Sequence, residues 1–143
     1  MIRKMEITDI FQVVKIEKKV FKTTLGENFL FEELTSNPFA NYYIYELNSE
    51  IIGYIGVRIY DSNAEILNFV IDTNHQKQGY GSNLFQYVLN YLEQLKVKQI
   101  TLEVRKSNTQ AKRFYQKYGF VKSHIRKEYY DNNEDAIVYL KEV

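Results

Sequence analysis

The amino-acid sequence predicts an α/β domain (α+β mixed) in which about four helices cover the faces of a central mixed sheet of about seven strands. From Tyr42 to Asp72, aromatic and β-branched residues form apolar runs separated by short polar turns, as in an antiparallel meander. After residue 80, an apolar stripe with helical spacing precedes an alternating segment. The resulting strand–helix–strand unit requires a right-handed crossover and a parallel strand pair, so the predicted sheet is mixed.

The first half of the chain predicts one strand, two helices and then three strands. A short strand covers Ile2 to Ile7, and Thr8-Asp9 can cap a helix whose apolar residues recur at helical spacing up to Phe21. A second helix covers Phe29 to Leu34 and stops before Pro38, because the residue preceding a proline disfavours helical geometry. The three strands are Tyr42 to Leu47, Ile51 to Tyr60 and Glu65 to Asp72, with turns at Asn48-Ser49-Glu50 and Asp61-Ser62-Asn63.

The second half contains the clearest helical pattern. From Tyr80 to Leu95, apolar side chains recur at steps of three and four. Lys98 to Arg105 alternates between apolar and polar residues and predicts a strand. A helix from Asn108 to Tyr118 ends at Gly119, a favourable C-terminal cap. Two more strands, Phe120 to Ile125 and Ala136 to Leu140, complete the order β-α-α-β-β-β-α-β-α-β-β.

Length and composition limit the classes of function. With 143 residues and 45% hydrophobic content, the chain has the length of one domain, expected to span residues 1–143. A net charge of +1 gives no overall attraction to nucleic acid, so no direct nucleic-acid binding is predicted. The absence of Cys excludes disulfides, thiolate ligands and a Cys nucleophile. No metal site is proposed, because His75 and His124 lack ligand spacing.

The distribution of apolar and basic residues bears on location and partners. No segment approaches the roughly 20 apolar residues of a membrane span, and Met1 to Glu6 lacks the apolar run of a signal peptide. We therefore expect a cytoplasmic protein with no membrane partner. Between Glu103 and Glu128 there are eight Lys or Arg and no acid, which fits either a local anionic partner or a solvated face.

A turn with two glycines, Gln76-Lys77-Gln78-Gly79-Tyr80-Gly81-Ser82, joins the third strand of the meander to the long helix. Two glycines this close let the backbone approach a ligand, and the free N–H groups of the first helical turn suit a phosphate. The turn is not a Walker loop, because no Gly-Lys-Ser/Thr follows. It also differs from the dinucleotide fingerprint, since Leu84 occupies the position of the third glycine.

Ordered motifs in the second half resemble those of the GNAT acetyltransferases. They are Gln76-x-x-Gly79-x-Gly81 after an apolar strand, Leu102-Glu103-Val104-Arg105 with Asn108, and Phe114-Tyr115-x-x-x-Gly119-Phe120. Two further pieces are similar to the ribosomal-protein alanine N-acetyltransferases (RimI type): Arg126-Lys127-Glu128-Tyr129-Tyr130 and Asp135-Ala136-Ile137. The resemblance covers residues 53 to 140 and is faint in the first 50. It implies a GNAT-like, mostly antiparallel sheet and an enzyme that transfers acetyl from acetyl-CoA to a primary amine.

The resemblance also implies roles for particular residues. Backbone groups of Phe69, Val70 and Ile71 would pair with the pantetheine arm of acetyl-CoA. Main-chain amides would hold the pyrophosphate at Lys77, Gln78, Gly79, Tyr80, Gly81 and Ser82. Asn108 would contact the cofactor, Glu103 would act as general base and Tyr115 as general acid.

These roles match what the reaction requires. An α-amine with a pKa of about 8 is mostly protonated at neutral pH, so a carboxylate must remove a proton directly or through water. The departing thiolate needs a proton or a strong hydrogen bond. Other interpretations stay open: Glu103 also fits a solvated strand residue and Tyr115 a packed aromatic, while Tyr129 and Tyr130 fit either a packed strand or the wall of an acceptor groove.

The acceptor is the least determined part of the prediction. A protein N-terminus, as of a ribosomal protein, competes with a small amine such as a polyamine, an amino sugar or an antibiotic. A non-catalytic CoA-binding or interaction module is the alternative outside enzymes, but the presence of both Glu103 and Tyr115 favours an enzyme. The sequence departs from the RimI type where Lys22-Thr23-Thr24 replaces the usual Pro-Trp pair, and in the short connection Asp131-Asn132-Asn133-Glu134. Four acids beside the tyrosine pair predict a cationic peptide acceptor: Glu128, Asp131, Glu134 and Asp135.

Overall fold

The computed structural model describes residues 1–21 and 24–143 and confirms the predicted order of elements. In these residues the strands are β1 (Ile2–Lys4), β2 (Ala40–Leu47), β3 (Glu50–Tyr60), β4 (Asn63–Ile71), β5 (Gln99–Arg105), β6 (Val121–Arg126) and β7 (Ala136–Glu142). The α-helices of the same part of the chain are α1 (Ile10–Phe21), α2 (Glu27–Ser36), α3 (Tyr80–Gln94) and α4 (Thr109–Lys117). None of these helices combines the length and the apolar character needed to cross a membrane.

The first strand is shorter than predicted. It ends at Lys4, and a 3₁₀ turn at Ile7–Asp9 leads into α1. The Asp9 carboxylate accepts hydrogen bonds from the Glu6 N–H at 2.8 Å and from the Arg3 guanidinium at 2.8 and 3.0 Å. These bonds bend the chain before Ile7, so the prediction of a strand up to that residue was wrong.

The sheet is mixed and mostly antiparallel, as predicted. Among the described residues, seven strands lie in the order β1-β2-β3-β4-β5-β7-β6, and only β4 and β5 form a parallel pair. The parallel pairing runs from Asn63↔Gln99 to Ile66↔Leu102, whereas β4 continues to Ile71 and β5 to Arg105. The last residues of these two strands therefore do not pair with each other.

A β-bulge lies where the parallel pairing ends. Val57 pairs with Ile66 and Gly56 pairs with Asn68, which leaves Leu67 as the extra residue of β4. A bulge bends its strand and increases the local twist. The bend turns the end of β4 away from β5 and opens the sheet between them.

The two faces of the sheet carry separate hydrophobic clusters. Helices α3 and α4 pack on the cluster that contains Ile55 and Phe85, and α1 and α2 pack on the cluster that contains Tyr54 and Leu30. Adjacent residues of β3 thus point to opposite clusters, as the alternation of a strand requires. Helices therefore cover both faces of the sheet that contains the opening between β4 and β5.

Candidate active site

The free edge of β4 forms one wall of the candidate site. Phe69, Val70 and Ile71 pair through their backbones with β3, and the described part of β5 does not pair with them. The Phe69 ring lies 5.4 Å from the Phe85 ring and 5.6 Å from the Phe114 ring, between centroids. The residues predicted to meet the pantetheine arm therefore lie on an edge whose main-chain groups can pair with an extended ligand.

A buried carboxylate holds the bulge of β4 in place. Glu17 of α1 is fully buried, and its Oε2 accepts hydrogen bonds from the Tyr54 hydroxyl at 2.7 Å and from Asn68 Nδ2. Its Oε1 accepts a hydrogen bond from the Thr24 hydroxyl at 2.8 Å. Because Asn68 directly follows Leu67, this network fixes the bulge from the face that α1 covers. Sequence reasoning missed Glu17, since its partners on β3 and β4 are 37 and 51 residues away.

The turn between β4 and α3 presents main-chain N–H groups. Gly79 has a φ of +90° and Lys77 a φ of +61°, so both adopt the left-handed conformation. The first main-chain bond of the helix runs from the Asn83 N–H to the Gly79 oxygen, at 3.0 Å. Within residues 1–21 and 24–143, the N–H groups from Lys77 to Ser82 donate to no protein acceptor. Free N–H groups at the positive end of a helix suit an anion such as a pyrophosphate.

Gly81 lets α3 approach the end of β4. A Cβ atom at this position would lie 3.4 Å from Ile71 Cγ1 and 3.6 Å from Phe69 Cζ, which are ordinary contact distances. An alanine therefore fits, whereas a larger side chain would press on the two β4 residues. Gln76 Nε2 donates to the Ile71 carbonyl at 2.8 Å and fastens the turn to the same strand end.

Asp72 anchors the start of this turn. Its Oδ1 accepts hydrogen bonds from Lys19 Nζ at 2.7 Å and from the Asn74 N–H at 3.4 Å. Burial alone would raise the pKa of Asp72, but the bonds from Lys19 and Asn74 outweigh burial and lower it. The ionised carboxylate joins α1 to the turn. Sequence reasoning missed this pair because its members are 53 residues apart.

Glu103 lies on β5 opposite Val138 of β7, and its side chain is only 19% exposed. Its Oε1 is 3.4 Å from Arg126 Nη1 on the edge strand β6. Hydrogen bonding by Glu103, followed by burial, raises the pKa of Tyr129. Glu103 is thus a mostly buried, paired carboxylate beside a tyrosine, and not a freely solvated strand residue.

Tyr115 combines a packed ring with an available hydroxyl. The ring lies 5.5 Å from Phe85 and 6.0 Å from Phe120, between centroids. Burial, with a smaller contribution from Tyr130, raises the pKa of Tyr115 well above its ordinary value. The hydroxyl makes no hydrogen bond to any described residue of the chain. The packed-aromatic interpretation therefore describes the ring, while the hydroxyl stays protonated and free to donate.

Asn108 caps helix α4. Its Oδ1 accepts a hydrogen bond from the Ala111 N–H at 3.1 Å, so its side chain starts the helix that carries Tyr115. The amide nitrogen of Asn108 donates to no described residue. Asn108 is thus the N-cap of α4, and its contact with the cofactor stays a prediction.

Aromatic side chains connect the cofactor half and the acceptor half of the candidate site. Phe114 lies between Phe69 of β4 and its own neighbour Tyr115, at 5.6 and 5.5 Å. Tyr115 packs against the cluster that lies between the sheet and α3. Glu103 alternates with Leu102 and Val104 of this cluster, so the predicted base lies on the other face of β5 from the predicted acid.

The acceptor side differs from its prediction in two respects. Tyr129 and Tyr130 lie in the connection between β6 and β7, so the interpretation as a packed strand was wrong. Glu134 accepts bonds from Arg105 and Ser107, and Asp135 accepts one from the Glu128 N–H, so two of the four predicted acids are bound internally. Arg105 offsets the charge of Glu134, whereas Asp135 accepts from a neutral N–H and keeps its charge. Lys22 and Thr23, which replace the Pro-Trp pair, lie outside the described residues.

The glycine turn at the start of α3, Glu103 on β5 and Tyr115 on α4 lie on the elements that the motifs resembling the GNAT acetyltransferases predict. The sequence profile of the Acetyltransferase (GNAT) family matches residues 7–120. The chain belongs to this family, and it is an acetyltransferase enzyme.

Similar proteins include some that are named for the acetylation of a ribosomal protein. The chain is 34% identical over 138 residues to a Bacillus subtilis (strain 168) protein provisionally named [ribosomal protein bS18]-alanine N-acetyltransferase, covering 96% of this chain and 91% of the relative. It is 30% identical over 149 residues to the [ribosomal protein bS18]-alanine N-acetyltransferase of Escherichia coli (strain K12), covering 96% and 93%. The crystal structure of the ribosomal-protein-S18-alanine N-acetyltransferase from Escherichia coli superposes with a TM-score of 0.93 at 25% identity, over 100% of this chain and 93% of that one.

Proposed function

We propose that this enzyme transfers the acetyl group of acetyl-CoA to the N-terminal α-amine of a protein, with a ribosomal protein as the acceptor. The observation that carries this proposal is the free edge of β4, with Tyr115 in the cluster on one face of the sheet and Glu103 on the other face of the neighbouring strand β5. The relatives named for bS18 alanine acetylation support the choice of acceptor.

The residues around the opening fit acetyl-CoA, which supplies an activated acetyl thioester. The main chain of Phe69, Val70 and Ile71 would pair with the amides of the pantetheine arm along the free strand edge. The N–H groups from Lys77 to Ser82 would bind the pyrophosphate at the positive end of α3. The space at Gly79 supports this fit, since a Cβ atom there would meet no described atom within 4 Å.

Glu103 would take the proton from the acceptor amine, directly or through water. Its carboxylate is held by Arg126 and lies beside Tyr129, so it is oriented before the acceptor arrives. A cationic α-ammonium would compete with Arg126 for this carboxylate, and proton transfer to Glu103 would then leave a neutral amine able to attack. A side chain placed in this way contributes about 10²- to 10⁴-fold to a proton-transfer step.

Tyr115 would donate its proton to the leaving sulfur. Because burial keeps the pKa of its hydroxyl above the ordinary tyrosine value, the hydroxyl stays protonated at neutral pH. Packing against Phe85 and Phe120 restricts the ring, so the hydroxyl is presented in one direction. Glu103 and Tyr115 would thus act on opposite ends of the transfer.

The acceptor is tested with a panel of amines and the purified full chain. A peptide that begins with Ala and carries a basic residue nearby is expected to be acetylated at its α-nitrogen, as located by fragmentation mass spectrometry. The same peptide with a blocked N-terminus but a free Lys side chain is the control and is expected to stay unmodified. Turnover of spermidine or an aminoglycoside with inert peptides would contradict the proposed acceptor and leave the family assignment intact.

The cofactor turn is tested by replacing Gly79 with Ala. A Cβ atom destabilises the left-handed conformation by about 1 to 2 kcal/mol, so the turn is expected to rearrange and misplace its N–H groups. Acetyl-CoA affinity, measured by calorimetry, is expected to fall by about tenfold or more.

Gly26 provides a matched control for this substitution. It has a φ of +96° at the start of α2 and, like Gly79, has no described atom within 4 Å of its Cβ position. With φ +96° and ψ 154°, Gly26 lies in a region that is essentially restricted to glycine, so Gly26→Ala strains the backbone at least as much as Gly79→Ala but away from the turn. The acetyl-CoA affinity of Gly26→Ala is expected to match that of the parent. Equal affinities in the parent and Gly79→Ala would remove the turn from the cofactor site.

A further inference from the structure

Glu134 links the connection before α4 to the connection between β6 and β7. Its Oε2 accepts a hydrogen bond from the Ser107 N–H at 2.7 Å, and its Oε1 accepts one from Arg105 Nη1 at 3.2 Å. Its main-chain oxygen accepts the N–H groups of Tyr129 and Tyr130 at 3.1 and 3.2 Å. Hydrogen bonding from Ser107, more than any other effect, lowers the pKa of Glu134. The carboxylate is therefore ionised at neutral pH, and the link is charge-assisted.

The guanidinium of Arg105 completes this link. Its Cζ lies 4.0 Å from the centroid of the Tyr130 ring, and its Nη1 also donates to Asn132 Oδ1 at 3.0 Å. The Asn132 oxygen in turn accepts the Glu134 N–H at 3.2 Å. A planar guanidinium can stack on a ring and donate several hydrogen bonds at once, which the point charge of a lysine cannot do. We call Arg105, Glu134, Asn132 and Tyr130 the arginine clamp.

The arginine clamp sets the position of Tyr130 on the face of β5 that carries Glu103. Burial, followed by the charge of Glu103, raises the pKa of Tyr130 to about 12. Tyr130 in turn contributes to the raised pKa of Tyr115. Glu103 and Arg105 are two residues apart on β5 and so lie on the same face of the sheet, and the Tyr130 ring stacked on Arg105 therefore lies on the face that carries Glu103. An acceptor amine at Glu103 is therefore on the same face of β5 as this ring.

We propose that Arg105 is a positioning residue for the acceptor: it holds Tyr130 and the connection between β6 and β7 where the acceptor amine meets Glu103. This inference rests on the proposed function in one respect, that an amine is acetylated beside Glu103. The clamp shares no residue with the turn from Lys77 to Ser82. Arg105 should therefore govern binding of the acceptor and not binding of acetyl-CoA.

The test compares Arg105→Lys with the parent and with a matched control. Arg58 has the same kinds of contact, with its Nε 3.0 Å from Glu33 Oε1 and its Cζ 5.9 Å from the centroid of the Phe29 ring. In the sheet, Arg58 pairs with Glu65 near the start of β4, whereas the residues predicted to meet the cofactor, Phe69 to Ile71, lie at the end of this strand. For each full-length variant, kcat, the KM of the acceptor, the KM of acetyl-CoA and the melting temperature are measured. The acceptor is the first amine of the panel that the parent acetylates.

Arg105→Lys is expected to raise the KM of the acceptor about tenfold, because lysine keeps the charge but cannot stack on the Tyr130 ring while donating hydrogen bonds to Asn132 and Glu134. The KM of acetyl-CoA is expected to stay within about twofold of the parent, since the turn keeps its dipole and N–H groups. Glu134→Gln, which removes the charge from the other side of the clamp, should shift the acceptor KM in the same direction. Arg58→Lys is expected to lower the melting temperature and leave both KM values unchanged.

Three results would overturn the proposal. The first is an acceptor KM that is the same in Arg105→Lys and Arg58→Lys. The second is a rise of both the acceptor KM and the acetyl-CoA KM in Arg105→Lys together with a lower melting temperature, because this combination indicates a role in folding alone. If Arg105→Lys does not fold, a parent-like acceptor KM in Glu134→Gln is the third. If the parent acetylates spermidine but no peptide, the proposed protein acceptor is refuted. The role of Arg105 is then still tested, because the same comparison of KM values is made with spermidine. If the parent acetylates no amine of the panel, both proposals fall.

Discussion

Replacement of Glu103 by Gln is expected to lower the turnover rate by about 10²- to 10⁴-fold at neutral pH, because Gln keeps the shape of the side chain but cannot accept the proton of the amine. The loss should shrink as the pH rises through the pKa of the acceptor amine, near 8, because solvent then supplies the neutral amine. The measurement is a pH–rate profile of the parent and Glu103→Gln with an acceptor that the parent acetylates. Partial recovery at alkaline pH distinguishes a lost base from a damaged site.

Glu33 is the matched control for this substitution. It is buried, and like Glu103 it pairs with an arginine, Arg58, at 3.0 Å. Burial would raise the pKa of Glu33, but hydrogen bonds from Arg58 and other donors lower it, so Glu33→Gln removes a comparable buried charge. We expect Glu33→Gln to lower the melting temperature while keeping a parent-like pH–rate profile. A parent-like rate in Glu103→Gln at every pH would exclude Glu103 as the base.

The architecture could be predicted because it depends on local periodicity. The alternation of β5 and the three- and four-residue spacing of α3 gave the correct element types, and the Gly79 turn fell at the start of a helix as expected. The opening between β4 and β5 could not be predicted in the same way. It depends on the bulge at Leu67, and the buried carboxylate that holds this bulge comes from α1.

The candidate site shows the same limit. Motifs identified Glu103, Tyr115 and the glycine turn, since each lies at a fixed spacing along one element. The link from Arg105 to Glu134 spans 29 residues. The sequence does not show such partners, so the acids near Tyr129 and Tyr130 were all predicted to be available to a cationic peptide. Contacts between distant segments decide which charges are free, and no pattern within one segment records them.

Replacement of Tyr115 by Phe is expected to lower turnover by about 10²-fold or more while acetyl-CoA affinity changes little, because Phe keeps the packed ring and removes only the proton donor. Alkaline pH should not restore the rate, since a neutral amine does not replace a missing acid on the leaving sulfur. In the parent, burial raises the pKa of Tyr115 above its ordinary value, so its hydroxyl should keep its proton as the pH rises through about 10. The measurements are a pH–rate profile, calorimetry with acetyl-CoA and a thermal melt of the same protein.

Tyr91→Phe is the control that separates the chemical role of a hydroxyl from its place in the core. Tyr91 lies on α3, and its ring packs 5.8 Å from the Tyr43 ring within the same face of the sheet. Removal of its hydroxyl should leave turnover at the parent level. If Tyr115 were only a packed aromatic, Tyr115→Phe would behave as Tyr91→Phe does. Equal turnover in these two variants and the parent would remove Tyr115 from the mechanism. A low turnover in Tyr115→Phe, with the melting temperature and the acetyl-CoA affinity of the parent, would assign the loss to the Tyr115 hydroxyl.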